Sequence, residues 1–572
     1  MARSALLIGA ETYGLLGVRN DVTAMARQLA GRGFSIERRI GADASRAGIL
    51  DAYESLIAAT GPSDAVVVYF SGHGGQAPGA KFIVPADFGE TTGNDFRGLT
   101  ELELSVLQAR LTARTRNVVT VLDCCHAARM SREPALRVKA LPPVRHDLAA
   151  HHGRLIRSGL RTDLLTPGGS PDAVRLAACA AGAEAHEDLI DGRWSGVFTS
   201  ALTAVLAEAG ETPVSWTAVV GRVRDRLAAE NRAQRPEAEG PARRSLFGTR
   251  ELDQTGSFPV AADPPWVRLD GAPFFGHRIG DLFVVMPPGA TGPDRGRMLG
   301  ELTVDRLSPT AALGRLRPDG PVPLGARAFC VRGGTPALVV RAPHPVESPL
   351  VRAARPGEPS PVEVRVGPGG EYTVHDRTGP LHTHLDWAAV VADLNRLGRA
   401  AALRGLQNDE PTAVTVAWGR VSGGRAAPPE PSAGASVSAG CPIYLTVHNG
   451  GPETVWVSLI DIGVTGGTTV LTGFAPSGLD LAPSETYTYG ADAAGRLTGV
   501  APHWPSSLRS RLPRPETILA LITPEPFDVA VLEQPASSRT TSDTAPAGPL
   551  RRGTRLYAVR KITFTLLPPA SR

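Results

Sequence analysis

Two short segments carry the residue types that acyl-transfer chemistry needs: Ser71-Gly72-His73-Gly74-Gly75 and Asp123-Cys124-Cys125-His126. A thiol is a strong nucleophile only as thiolate, so it needs a nearby base and donors for the oxyanion that forms on the attacked carbonyl. His73 offers the base. The glycines beside it let backbone N–H groups approach a carbonyl with no Cβ in the way. Each segment follows a β-branched apolar run, Val66-Val67-Val68-Tyr69-Phe70 and Val118-Val119-Thr120-Val121-Leu122, of the kind that makes a buried parallel strand. A His ending one strand and a Cys ending another brings base and nucleophile together on an α/β sheet.

The elements that must position these groups alternate through the first 250 residues. Ala5 to Ile8 reads as a strand, and Asn20 or Asp21 can cap a helix whose apolar face uses Val22, Met25, Ala26 and Leu29. A strand restarts at Phe34, and Ser45 opens a helix through Ile49, Tyr53 and Leu56. Leu102, Leu104, Leu107 and Leu111 support another helix, Val174 to Cys179 a further strand, and helices follow near 197–208 and 215–230. This alternation predicts a mainly parallel sheet with helices on both faces. Between Arg129 and Pro171 the periodicity fails and arginines accumulate, which predicts a long exposed loop with His146, His151 and His152 solvated.

The bulk numbers exclude several classes. At 572 residues the chain is too long for one core. A net charge of +4 gives no argument for nucleic acid or an anionic membrane. The basic residues are almost all Arg, with Lys at 81, 139 and 561, as in a GC-rich coding sequence. Five cysteines (124, 125, 179, 330 and 441) cannot build a disulfide framework in so long a chain. The N-terminal apolar run is short for a signal peptide, and no stretch approaches the roughly 18 apolar residues of a membrane span. A cytoplasmic protein is the expectation.

Taken together, the motifs resemble the caspase–metacaspase superfamily, whose metacaspase branch carries a Ser-Gly-His-Gly base motif and an Asp-x-Cys-His nucleophile motif. Leu6 to Gly9 followed by Leu16 to Asp21 is similar to the family's first strand and its Asn-Asp helix start. Leu176 to Cys179 with Glu184 and Glu187 resembles the first small-subunit strand, and Gly196 to Leu202 the helix after it. The resemblance implies a large-subunit part over 1–128, a basic loop over 129–171 and a small-subunit part over 172–250. It makes His73 the base and Cys125 the nucleophile, with Cys124 as the alternative. The Gly74 and Cys125 amides would form the oxyanion hole. Ala127-Ala128 departs from the family's usual Ser-Gly after Cys-His.

By the same resemblance the first substrate pocket is lined by Asp21, Ser71 and Asp123. Two carboxylates and a hydroxyl would hold a guanidinium through charge-assisted hydrogen bonds and repel an acidic side chain. The expectation is cleavage after Arg, with Lys weaker, and an acidic preference as the competing reading. The basic loop lies where caspase-like zymogens are often cut, which makes Arg132, Arg137, Arg145, Arg154, Arg157 and Arg161 candidates for self-cleavage. No cofactor is expected. Zinc fits poorly, because adjacent ligands such as Cys124, Cys125 and His126 suit tetrahedral geometry badly. Some metacaspases need calcium, and Asp87, Glu90 and Asp95 are acids that do not by themselves establish it.

The second half shows no catalytic constellation. Short apolar stretches over 263–380 predict one or two small β modules, 385–407 a connecting helix, and 410–572 a β-sandwich-like domain with 421–440 as loop or linker. Gly280 to Ala290 resembles β modules found behind bacterial caspase-like domains, and Tyr444 to Asp461 the β-sandwich that often ends such proteins. These modules are expected to bind a regulator or ligand. The resemblance implies a protein substrate, encoded in a neighbouring gene, and a role in bacterial regulated cell death or antiphage defence. A non-proteolytic scaffold built on an inert fold is the competing class.

Overall fold

Unbroken apolar runs become central strands because both faces of the sheet are covered. The computed structural model describes residues 2–569 except 79, 126–136, 166–171, 181–182, 253–255, 334–337, 347, 349, 408–411, 492–495, 509 and 535–556. It divides into two units, residues 1–253 with 473–475, and 254–472 with 476–572.

In the first unit the principal strands are β1 (Arg3–Gly9), β2 (Ser35–Ile40), β3 (Ala65–Ser71), β7 (Val118–Asp123), β9 (Ala173–Ala177) and β12 (Glu237–Glu239). Their order in the sheet is β12-β9-β7-β3-β1-β2, with only β12 antiparallel to its neighbour. All of Ala65–Ser71 is buried, and each such Val or Phe side chain contributes about 1.5–3 kcal/mol. One face of the sheet, with Leu6, Ile8, Val66, Val68 and Phe70, packs on helices α2 (Arg46–Ala59) and α3 (Glu101–Thr112) through Ile49, Tyr53, Leu56, Leu107 and Leu111. On the other face α1 (Val18–Ala30) packs on β1 and β3 and against α5 (Val197–Ala209), which meets α6 (Trp216–Ala229). Two small sheets complete the unit. One joins β4 (Gly74–Ala77), β5 (Ala80–Ile83) and β6 (Leu99–Thr100), the other β8 (Arg137–Val138), β10 (His186–Ile190) and β11 (Arg193–Gly196).

Two local expectations need correction. Neither Asn20 nor Asp21 caps α1: the helix starts at Val18 behind Gly17, and Glu187 of β10 accepts hydrogen bonds from Leu16 N and Gly17 N at 2.8 and 2.9 Å. The cap therefore comes from a distant strand. The basic stretch 129–171 is also not all exposed loop. It holds β8 and a helix α4 (Leu148–Arg157) capped by Asp147, whose side chain accepts from Ala150 N. His151 is buried rather than solvated, 3.6 Å from Glu103 Oε2, and His146 lies against the Phe96 ring.

In the second unit, strands between Phe258 and Arg332 close a six-stranded barrel. A five-stranded sheet spans 338–384, helix α7 runs Trp387–Gly405, and a four-stranded and a six-stranded sheet are built from the remaining strands. Part of 421–440 is strand, because Ala435 and Val437 alternate inward within Ala433–Ser438. Among the described residues no helix is long and apolar enough to cross a membrane.

Glu103 ties α2, α3 and α4 together. It accepts from Arg46, and from Thr100 N and Oγ1 at 3.0 and 2.9 Å in a capping box. Burial pulls its carboxyl up, but His151 and Arg46 outweigh that and hold it at about 2. A depressed carboxyl stabilises the fold above its unfolded value and loses that contribution as pH falls through its folded one. Glu103→Gln is therefore expected to cost about 3 kcal/mol near neutrality by leaving Arg46 buried and unpaired. In urea unfolding the gap to wild type should narrow as pH falls from about 5 toward 2.

Candidate functional site

The register of two parallel strands places the chemistry-bearing residues at neighbouring strand ends, where neither ring nitrogen of His73 has a hydrogen-bond partner among the described residues. Ser71 of β3 lies opposite Asp123 of β7, so His73 and Cys125 each follow two residues beyond the same level of the sheet. Both are nearly inaccessible, His73 at 5% and Cys125 at 1% exposure. Burial, then the charge of Lys139, lowers the His73 ring to about 4, against a smaller opposing effect of the Thr12 and Tyr13 backbone. His73 is thus neutral near pH 7, and the Tyr13 ring meets it edge-on at 6.0 Å. Cys125 Sγ points at Ala185 O, 3.7 Å away. Cys124 faces the other way, into the apolar core with Ile8, Phe70 and Tyr53, and burial pushes its thiol up. Cys179 follows β9, and its thiol is raised first by its contact with Cys125 and then by burial.

Asp21, Ser71 and Asp123 do converge, and they converge on a lysine of the same chain. Lys139 Nζ lies 3.0 Å from Asp21 Oδ2, 2.8 Å from Asp123 Oδ2 and 3.0 Å from Ser71 Oγ. All three charged side chains are completely buried. Their remaining polar atoms are largely satisfied. Asp21 Oδ1 accepts from Ser195 Oγ at 2.6 Å and Gly196 N at 2.8 Å, Asp21 Oδ2 from Ser71 Oγ, and Asp123 Oδ2 from Thr199 Oγ1 at 2.6 Å. Burial raises the Asp123 carboxyl against the pull of Lys139, and Asp123 Oδ1 has no hydrogen-bond partner among the described residues. Burial would lower the Lys139 ammonium, but Asp123 and Asp21 more than offset it and raise it. Gly196 walls the pocket. A Cβ there would stand 2.0 Å from Asp123 Oδ2 and 2.6 Å from Lys139 Nζ.

The lysine's backbone is held as firmly as its side chain. Lys139 O accepts from Gly74 N at 3.0 Å and from Cys125 N at 3.1 Å, while Lys139 N donates to Ala185 O at 2.8 Å. N-terminal to it, β8 pairs antiparallel with β10, Arg137 opposite Glu187 and Val138 opposite His186. C-terminal to it, Ala140 bridges Gly74, and Leu141 N donates to Gly74 O at 2.8 Å. Residues 137–141 thus run as an extended strand through a cleft at the carboxyl ends of β3 and β7.

Of the arginines named as cleavage candidates, Arg137 lies two residues before Lys139 on β8. Arg145 is exposed in coil, Arg154 and Arg157 are on α4, and Arg161 pairs with Asp163. None of these enters the acidic pocket, and Arg132, like His126 to Ala128, lies outside the described residues. Lys139, Ser195, Gly196 and Thr199 were not singled out from the sequence. Lys139 carried one signal, as one of only three lysines in a chain rich in arginine. Asp87, Glu90 and Asp95 gather on Arg97, at 3.4, 3.9 and 3.0 Å.

A three-layer α/β domain with a thiol and an imidazole at adjacent strand ends is the architecture of a caspase-like protein. Residues 2–247 match the family model described as Caspase domain, and this part of the chain is a caspase domain, of a family of cysteine peptidases. Among solved structures, protein GSU0716 from Geobacter sulfurreducens is similar at 19% identity and a TM-score of 0.33, over 42% of this chain and 92% of that one. The Drosophila initiator caspase Dronc is similar at 10% identity and a TM-score of 0.27, over 43% and 82%. No curated protein matches the chain.

Replacing the Lys139 charge tests the coupling inside the cleft. In Lys139→Met, the His73 ring should titrate above the value of about 4 it has beside the ammonium, and still below 6.5 because burial persists. NMR of histidine-labelled protein, with His73→Gln assigning the signal, reads this directly. An unchanged His73 would contradict the electrostatic account.

Proposed function

We propose that the caspase domain is a cysteine endopeptidase that cleaves after Arg or Lys, with Cys125 as nucleophile and His73 as general base. One observation carries this reading. The Lys139 carbonyl rests on two backbone amides, Gly74 N and Cys125 N, while its ammonium lies between two buried carboxylates. A peptide carbonyl on two donors beside a thiol is the geometry an acyl transfer requires.

In the proposed reaction Cys125 Sγ attacks the carbonyl carbon of the basic residue, and His73 takes the thiol proton. The oxyanion is held by Gly74 N and Cys125 N. The C–N bond breaks as His73 returns the proton to the leaving amine, and water then hydrolyses the thioester. Asp21, Ser71 and Asp123 select the basic side chain, since an acidic one would add a third buried carboxylate. Asp123 Oδ1, which Lys139 leaves without a hydrogen bond, gives an incoming guanidinium one more acceptor than an ammonium uses, which favours Arg over Lys.

The same reading makes Lys139–Ala140 the first bond to be cut, in place of the arginine bonds of the basic loop. An enzyme filled by its own lysine is off until that segment is cut or displaced, which suits a triggered response such as bacterial cell death or antiphage defence against a protein substrate.

Incubation of the full chain should yield a new N-terminus at Ala140, absent in Cys125→Ala. The processed protein should hydrolyse Arg- and Lys-coumarin peptides and reject the Asp analogue by about 10⁴-fold, the discrimination expected of a buried polar pocket. Equal turnover of Asp peptides, or hydrolysis that survives Cys125→Ala, would refute the proposal.

A further inference from the structure

We propose that Trp194 is a second specificity residue, which selects Arg at the third position before the scissile bond, so that the substrate class is proteins carrying Arg-x-Lys or Arg-x-Arg in an extended segment. The proposal rests on the peptidase reading above and adds a subsite to it. In an extended strand successive side chains alternate, so residues two apart face the same way. Arg137 and Lys139 are such a pair, and so are Trp194 and Gly196 of β11. Gly196 walls the pocket that holds Lys139, and Trp194 meets Arg137.

The contact is specific to a guanidinium. Arg137 Cζ lies 4.7 Å from the centroid of the Trp194 ring, and its Nη1 donates to Gly14 O. A guanidinium over an indole ring combined with a directed N–H bond is a pairing Lys reproduces poorly. The receptor side is held by the fold and does not depend on the segment in the cleft. Trp194 sits in the β10–β11 pairing opposite Leu189, and its carbonyl accepts from Asn20 Nδ2 at 2.8 Å. Gly14 occupies a left-handed turn at φ +83°, which turns its carbonyl toward the cleft at little steric cost. By the same alternation Val138 of β8, between the two basic residues, faces the opposite side, which leaves the middle position unspecified.

The test uses the full chain after self-processing, with Arg137→Ala as a second preparation that vacates the Trp194 contact while leaving Lys139 in its pocket and its bond to be cut. Two coumarin tetrapeptides, Ala-Arg-Val-Lys and Ala-Ala-Val-Lys, are compared by kcat/KM. Wild type is expected to prefer the Arg peptide by about ten-fold, the scale of one cation–π contact with its hydrogen bond. The preference should fall to about one in Trp194→Ala and persist in part in Trp194→Phe, which keeps a ring. A wild-type ratio near one, or a ratio unmoved by Trp194→Ala, overturns this inference while leaving cleavage after basic residues intact. Failure of both preparations to hydrolyse either peptide overturns the peptidase reading itself, and this inference with it.

Discussion

The structure of the cleft at the ends of β3 and β7 depends on one buried charge cluster, Lys139 between Asp21 and Asp123. Taking three ions out of water costs several kcal/mol for each, and the mutual attraction offsets this only where every remaining polar atom is well paired. The surroundings do that for every carboxylate oxygen but Asp123 Oδ1. Ser71, Thr199, Ser195 and the Gly196 amide all hydrogen-bond the carboxylates, and Gly196 lacks the Cβ that would fill the space. The cation this pocket holds is the Lys139 ammonium of the same chain. The carbonyl of the lysine that fills it accepts from the Cys125 amide.

That single cluster organises elements far apart in the chain. Asp21 comes from α1, Ser71 and Asp123 from the ends of β3 and β7, and Ser195, Gly196 and Thr199 from β11 and the start of α5. Glu187 holds the start of α1 through two amides, which keeps Asp21 within reach of β11. Through its N–H and carbonyl, Lys139 also links Ala185, Gly74 and Cys125. Occupancy of the pocket and order of the cleft are therefore parts of one arrangement.

Some of this was legible in the sequence, for a physical reason. β3 and β7 announce themselves because a strand buried on both faces must be continuously apolar, and the His and Cys motifs stand at their ends. Asp21, Ser71 and Asp123 were reachable through the family resemblance. Lys139 was not, because nothing local distinguishes a lysine that crosses to an acidic pocket from one in solvent. The small residues Gly196 and Thr199 matter through what lies across from them, which a linear reading does not contain. Helix α4 was missed because a histidine, His151, occupies its buried face where an apolar residue would have shown the period. In the second unit, Ala433–Ser438 reads as a linker because its inward positions are separated by small polar residues.

The central claim is that Cys125 reacts with a carbonyl whose side chain fills the Asp21–Asp123 pocket. Affinity labelling tests it most directly. A Val-Lys chloromethyl ketone and its Val-Asp counterpart, reacted with the processed protein and mapped by peptide mass spectrometry, should differ sharply. The account predicts a single adduct on Cys125 from the lysine reagent and none from the aspartate reagent. Label on Cys124, or equal labelling by both reagents, would contradict it.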